Sequence, residues 1–503
     1  MNITIHTKLE TSEFQSKALS SVANLYGLVK RKLYAESISQ KSKPISFKKE
    51  FMKQFGITAR QFNAVRIDLG GIIDSRRELQ KLEVIQLSNR LISIKKKIKW
   101  YNEKLKKTED IGKKNWLKNV VHQKKRRYFN IELQLRQLKA DINNDKINIC
   151  FGGKKLFKKQ FNLQENGWTS HAEWKEEWTR KRNSSFFCVG SKDESYGNQS
   201  CQLKPDGSLQ IRVPNQLVEE FGKHIIVSNV NFKYRQELLQ EVKNNKQALA
   251  HRLILKDGSW YLHTSFDYTP KKRISLPPKE IGAIGIDFNA TNVATAEIDR
   301  HGNLVATKTY ETNVASKRKD QTLAIYGDCC KDIVNHAVSA NKPIVVENLD
   351  FTKKKATLRE NSNKYARMLS SFAYSTFLSI LERRATMFGI KVYTINPAYT
   401  SIIGKVKFMG RYGINPHESA AMAIARRINN FSETIPSESA FPSLVKMNGK
   451  HVWSKWSFIL KNGVRGKHHH FYNWRSLQDT KGNSFNSFDE IFVSNTTKAF
   501  GTG

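Results

Sequence analysis

Ala283-Ile-Gly-Ile-Asp287 and Ile344-Val-Val-Glu347 decide how this 503-residue chain is read. Each is a short apolar run that closes on a carboxylate. Runs of this length, without polar alternation, read as strands buried on both faces. A carboxylate at the end of a buried strand is unfavourable unless it is hydrogen-bonded or holds a cation. For one such acid, capping or an internal hydrogen bond is explanation enough. Two in one domain make Asp287 and Glu347 candidates for a shared task.

Outward from these runs the pattern stays α/β. A strand over 293–298 turns at Asp299-Arg-His-Gly-Asn303 into another over 304–307, and a helix covers about 313–340. A second helix over about 365–388 leads to a strand over 391–395, and a last helix starts near Pro416. Strand with acid, hairpin, helix, strand with acid, helix, strand, helix is the order of an RNase H-like fold. In that fold carboxylates on neighbouring strands share divalent metals, which activate water and stabilise the leaving oxygen of a phosphodiester. Oxygen ligands with open positions suit Mg²⁺, or Mn²⁺.

A third ligand is expected from the first turn of the last helix. In Asn415-Pro-His-Glu-Ser419, Asn415 is the N-cap, Pro416 the first helical position and Glu418 the third, the arrangement of a capping box. That gives Glu418 a structural reason to exist. His417 shares a face with Ala421, Ile424 and Ile428, the side that must meet the sheet, and is the preferred third ligand or proton shuttle. Glu418 as the ligand, or no third ligand, stay open. Lys405, Lys407, Arg411, Arg426 and Arg427 surround this site, where phosphates must lie, and are expected to contact nucleic acid.

The charge agrees with such a partner. The chain carries 85 Lys and Arg against 45 Asp and Glu, a formal net charge of +40. Its 26% charged residues are ordinary, so only the sign is unusual. With 39% hydrophobic and 11% aromatic residues the chain is folded rather than a disordered basic tail. A polyanion is favoured, because each cation that neutralises a phosphate releases condensed counterions. No run reaches the roughly 18 apolar residues that span a bilayer. The first ten residues alternate like a strand and lack the apolar core of a signal peptide. Five cysteines without a C-x-x-C pair argue against a disulfide framework or a zinc ribbon and for a reducing cytosol. A cytoplasmic, nucleoid-associated location without bound zinc is the expectation.

The amino-terminal half divides in two. From Leu87, apolar residues recur as Leu91, Ile94, Ile98, Tyr101 and Leu105. After a break at 107–112 they resume as Leu117, Val121, Tyr128, Ile131, Leu135, Leu138 and Ile142. One apolar stripe per helix predicts an antiparallel helical hairpin. Its other faces hold Lys95, Lys96, Lys97, Lys99, Lys125, Arg126 and Arg127, with few acids to neutralise them, and are expected to contact nucleic acid. From about Ile147 the periodicity changes to short alternating runs, with a hairpin signal at Asp257-Gly258. Trp168, Trp174 and Trp178 beside Lys181-Arg182 read first as a satellite core and second as a stacking surface. Three adjacent histidines, His468 to His470, read as exposed rather than metal-binding.

Here a resemblance becomes specific. Gly285-Ile-Asp287, Val346-Glu-Asn-Leu349, Asn396-Pro-Ala-Tyr-Thr-Ser401 and Ser419-Ala-Ala-Met-Ala-Ile424 resemble, in order and spacing, the motifs of the split RuvC nuclease of TnpB (OrfB) proteins of insertion sequences. Those are relatives of compact type V CRISPR effectors. The likeness covers about 280–430, and the amino-terminal half matches only in layout. It implies a multidomain chain: a first wedge strand (1–12), an α-helical recognition lobe (13–146), a β-barrel wedge domain (147–270), an α/β RNase H-like RuvC nuclease domain (271–431) and a C-terminal extension (432–503). It also implies an Mg²⁺-dependent endonuclease that a guide RNA directs to double-stranded and single-stranded DNA beside a short adjacent motif, with Tyr399 among the nucleic-acid contacts. Two departures stand out. Cysteine pairs that usually bind zinc after Ser401 are replaced by a stretch read as a short basic loop over 402–414, and the usual third acid is His417. A cleavage-deficient RNA-guided DNA-binding regulator and a guide-free transposase or resolvase are the alternatives.

Overall fold

The computed structural model describes residues 2–269, 276–289, 291–314, 317–349, 374–435 and 451–462. It has two compact units, Met1–Thr269 and Pro270–Gly503, and mixes helices with sheets in both.

The first unit opens with β1 (Asn2–Lys8) and α1 (Glu13–Ser39), which starts in a capping box between Ser12 and Gln15. α2 (Lys48–Phe55) leads to α3 (Ala59–Lys107) and α4 (Ile111–Asn143). The last two form the expected hairpin: the buried residues Ile94, Leu117, Val121, Ile131, Leu135 and Leu138 lie on the sequence stripe. At 49 residues, α3 is about 74 Å long at 1.5 Å per residue. It begins well before the stripe because Phe62, Val65 and Leu69 anchor its first turns in a different core. α5 (Lys154–Lys159) and α6 (His171–Arg182) follow. On α6, Trp174 and Trp178 stack at 5.7 Å, both buried, and Trp174 Nε1 donates to the Leu156 carbonyl at 3.0 Å. These two rings form a satellite core.

The strands of this unit are β2 (Ser185–Cys188), β3 (Cys201–Leu203), β4 (Leu209–Arg212), β5 (His224–Val227), β6 (Ala250–Lys256) and β7 (Ser259–Asp267). The short helices α7 (Val218–Phe221) and α8 (Gln236–Asn244) flank β5. They make two sheets, β1-β7-β6-β2 and β3-β4-β5. The barrel expected over 147–270 is therefore not found: among the described residues no closed barrel forms. The chain between β2 and β6 pairs with itself as a separate meander, which leaves β1 and β2 as edges. Both sheets share one core with α1 and the start of α3, built on Ile3, Leu19, Leu33, Phe62, Trp260 and Phe266. The β6–β7 turn runs through Asp257 and Gly258, both at positive φ (49° and 74°), as a two-residue hairpin of matching twist requires.

The second unit contains α9 (Pro278–Ile281), β8 (Ala283–Phe288), β9 (Asn292–Ile298), β10 (Leu304–Glu311), α10 (Lys319–Ser339), β11 (Ile344–Glu347) and β12 (Val392–Ile395). The sheet order is β10-β9-β8-β11-β12, with β11 parallel to both β8 and β12 and the β8-β9-β10 meander antiparallel. α10 and the helix Tyr374–Met387 cover one face through Ile333, Val334, Phe377 and Leu381. The helix Pro416–Ile428 covers the other through Ala421, Ile424 and Ala425. The start of the helix expected from 365 lies outside the described residues.

The stretch after Ser401 differs from the expected basic loop. It is helical as far as Tyr412: α over Thr400–Ile403, π over Gly404–Met409 and α again over Gly410–Tyr412. Ile402, Ile403, Val406 and Phe408 are buried against the helix Pro416–Ile428, so burial of an apolar face draws this stretch into helix. Gly404 permits the contact, since a Cβ there would stand 2.5 Å from the Ser419 carbonyl. The described part of the 432–503 extension joins the same core. The helix Val452–Asn462 buries Trp456 and Ile459, and Trp456 Nε1 donates to the Glu433 carbonyl at 2.7 Å. His468, His469 and His470 lie outside the described residues.

Candidate active site

The site starts with strand register. β8 and β11 run parallel with Ile286 opposite Val346, so Asp287 and Glu347 follow on adjacent strands. Alternation puts Asp287 on the face of Ala283 and Gly285, and Glu347 on the face of Val345. This is the face that the helix Pro416–Ile428 covers. Gly285 sets its closeness: a Cβ there would come within 2.0 Å of the Ala421 carbonyl. The helix N-terminus is thereby brought onto the carboxylates. Its cap is as the sequence requires, with Asn415 Oδ1 accepting from the amides of His417 and Glu418 at 2.9 Å each. Glu418 Oε2 accepts from the Asn415 amide at 3.2 Å, and its Oε1 accepts from Thr309 Oγ1 at 2.9 Å.

His417 turns toward the strands, and its Nδ1 lies 3.1 Å from Asp287 Oδ2. Asn289 Nδ2 donates to the same oxygen at 2.8 Å. Glu347 is enclosed more completely. Thr400 Oγ1 lies 2.5 Å from Glu347 Oε1, and Tyr374 Oη donates to the Glu347 backbone carbonyl. Burial, with the Asp287 charge beside it, pushes the Glu347 carboxyl up to about 8, against the opposing pull of Thr400 and Arg427. Arg427 is itself enclosed, its Nη1 donating to the Asn396 and Ala398 carbonyls at 2.5 and 2.7 Å. Burial lowers its guanidinium from the usual range.

On top of burial, the Asp287 charge acts on the Glu347 carboxyl and raises it, against the pull of Thr400 and Arg427. A hydrated divalent cation fits that charge pattern. Mg²⁺ keeps several waters and takes only one or two protein carboxylates. Among the described residues no group of three or more His, Cys, Asp and Glu side chains is arranged to hold a metal ion. The fit thus rests on Asp287 and Glu347 as a pair, with His417 as a hydrogen-bonding neighbour of Asp287.

The expected nucleic-acid contacts fall into different settings. Lys407 Nζ donates to Glu433 Oε2 at 2.5 Å. Arg426 Nε donates to Glu433 Oε1 at 2.6 Å, and its Nη1 to the Gly302 carbonyl at 2.5 Å. With Arg427, these are cations engaged inside the fold. Lys405 is half-buried on the π-wound stretch, and Arg411 is exposed, with its guanidinium 5.5 Å over the Tyr412 ring. Tyr399 sits at φ 64°, a left-handed conformation for a non-glycine residue, with its ring 5.9 Å from Trp453. In the first unit Lys95, Lys96, Lys99, Lys125 and Arg126 are exposed on the hairpin, and Lys97 and Arg127 are half-buried.

Thr400, Asn289 and Tyr374 were not found from sequence. Alternation along β8 marks Asn289, two residues beyond Asp287. Thr400 lies inside the Asn396–Ser401 motif without any spacing that singles it out.

No family model matches the chain. Two uncharacterised proteins of Aeropyrum pernix are each 25% identical over 256 residues, 47% of this chain, covering 68% of one and 61% of the other. Among solved structures the chain is similar to a Cas12f1–sgRNA–target DNA complex (TM-score 0.21, 12% identity, 70% of this chain and 95% of that one). A CRISPR–Cas12f ternary complex (0.21, 13%, 84% and 98%) and a Cas12i–crRNA–dsDNA complex (0.28, 8%, 83% and 68%) are further neighbours. At these TM-scores the likeness decides neither fold nor activity.

Proposed function

We propose that the chain is an RNA-guided, Mg²⁺-dependent DNA endonuclease that cuts beside a short adjacent motif. The observation that carries this reading is the pair Asp287 and Glu347 at the ends of adjacent parallel strands, with Glu347 pushed up to about 8. The net charge of +40 and the sequence resemblance to TnpB proteins support a nucleic-acid substrate and a guide. Asp287 and Glu347 would hold the cation; when bound, it supplies Lewis-acid stabilisation of the cleaved phosphodiester and an activated water. Asn289 and His417 orient the Asp287 carboxylate, and Thr400 fixes Glu347 Oε1. The enclosed Arg427 sets the charge behind the pair.

A second reading, a cleavage-deficient RNA-guided DNA binder, is favoured by one observation: where the resemblance implies a third acid, this chain has an imidazole hydrogen-bonded to Asp287. One experiment separates the two. The purified ribonucleoprotein is incubated with guide-matched DNA and Mg²⁺, beside Asp287→Ala and His417→Asp. Cleavage that disappears in Asp287→Ala is the expected result. Binding without product in the wild type, with product gained in His417→Asp, establishes the binder.

A further inference from the structure

The four-stranded sheet β1-β7-β6-β2 buries one face and leaves the other outward. Ile3, Ile5, Leu262, Leu253 and Phe186 point into the core. On the outward face the register lines up His6, His263, Arg252 and Phe187 in one row across all four strands. The His6 and His263 rings stack, 5.4 Å apart at 21°. The Arg252 guanidinium lies 5.1 Å over the Phe187 ring, and Asp68 Oδ1 accepts from its Nη2 at 2.5 Å. Asp68 thereby holds that guanidinium in place over the ring. The next row is Lys8, Tyr261, Ile254 and Ser185, and the row on the other side is Thr4, Ser265 and Ala250. No acid stands in these three rows. His6 and Lys8 are exposed, and Phe187, Tyr261 and His263 are half-buried although they do not belong to the core.

Neighbouring strands lie about 4.8 Å apart, so the row carries two stacked pairs across roughly 14 Å. Bases stack on aromatic rings and on guanidinium planes, and every base has a π-face, so such stacking tolerates any sequence. In a duplex those faces are already covered by neighbouring pairs.

We propose that this sheet face binds single-stranded nucleic acid, with unpaired bases stacked on His6–His263 and on Phe187–Arg252 and with Lys8 beside the phosphates. The proposal rests on the nucleic-acid partner of the reading above and not on cleavage.

The test is fluorescence polarisation with the full-length protein, stripped of copurified nucleic acid at high salt. The probes are labelled RNA and DNA single strands of about a dozen nucleotides and a hairpin duplex. His6→Ala/His263→Ala is expected to weaken single-strand binding about tenfold, the loss of roughly one stacked base, while duplex binding changes less than about twofold. His6→Phe/His263→Phe, which keeps both rings, is expected to restore it, and Phe187→Leu to give a loss of similar size. Thermal melting shows that each variant folds. The RNA and DNA arms identify which strand the face prefers. Unchanged single-strand affinity in the alanine variant, or an equal loss on duplex, overturns the proposal and leaves the row as packing or a protein-docking face. Binding is read without added Mg²⁺, so a chain that cleaves nothing still leaves this test decisive.

Discussion

Asp68 and Glu347 are both acids in the interior of their units, yet their surroundings push them in opposite directions. Burial alone would raise the Asp68 carboxyl, but the Lys30 and Arg252 charges and hydrogen bonds hold it below its usual range. Glu297, in the second unit, follows the same rule: Lys342 and His336 outweigh its burial and lower it. Glu347 has burial and the Asp287 charge on one side and only Thr400 and a laterally engaged Arg427 on the other, and it rises to about 8. An acid whose charge the fold neutralises is part of the framework. An acid left in conflict with a second acid is a candidate functional group, and on the proposed function a cation from outside completes the charge balance there.

Asp68→Ala leaves two cations without their shared counter-charge and is expected to destabilise the chain by about 3–5 kcal/mol in chemical denaturation. Because its folded pKa is lowered, the Asp68 contribution is present above the unfolded value of about 4 and is lost as pH falls below it. An effect under about 1 kcal/mol would mean that the triad is no framework.

Glu347 sharpens the contrast with the opposite sign. Its folded pKa of about 8 lies above the ordinary carboxyl range, so its contribution to the metal-free chain is complete in acid and is lost as pH rises toward 8. In EDTA, wild-type stability is therefore expected to fall between about pH 5 and pH 8, by a few kcal/mol at most. Glu347→Gln, which cannot ionise, is expected to flatten that slope. A wild-type slope that Glu347→Gln leaves intact would place the conflict elsewhere.

Much of the second unit was legible because its signals are local. Closed apolar runs named β8 and β11, and the Asn415-Pro416-Glu418 pattern gave the helix start to the residue. Asp287, Glu347 and His417 were read from those elements as a candidate site. What escaped depends on contacts between distant segments. The helical winding of 402–412 is imposed by packing against the helix Pro416–Ile428, and the basic residues along it hid its apolar face. Glu433, which draws in Lys407 and Arg426, lies outside every motif, so those cations read as free for phosphate. In the first unit alternation pointed to strands but could not say which would pair, and two open sheets stand where a barrel was expected. Asp68 was illegible for the same reason, since Lys30 and Arg252 come from far along the chain.

On the proposed function, Asp287 and Glu347 jointly hold one divalent cation. Calorimetric titration of the full chain with Mg²⁺ and Mn²⁺ at pH 7, repeated in buffers of different ionisation enthalpy, tests it directly. Binding that releases close to one proton, because a Glu347 carboxyl with a pKa of about 8 must ionise to coordinate, and that vanishes in Asp287→Ala is the predicted result. Metal binding without proton release, or binding that survives Asp287→Ala unchanged, would contradict it.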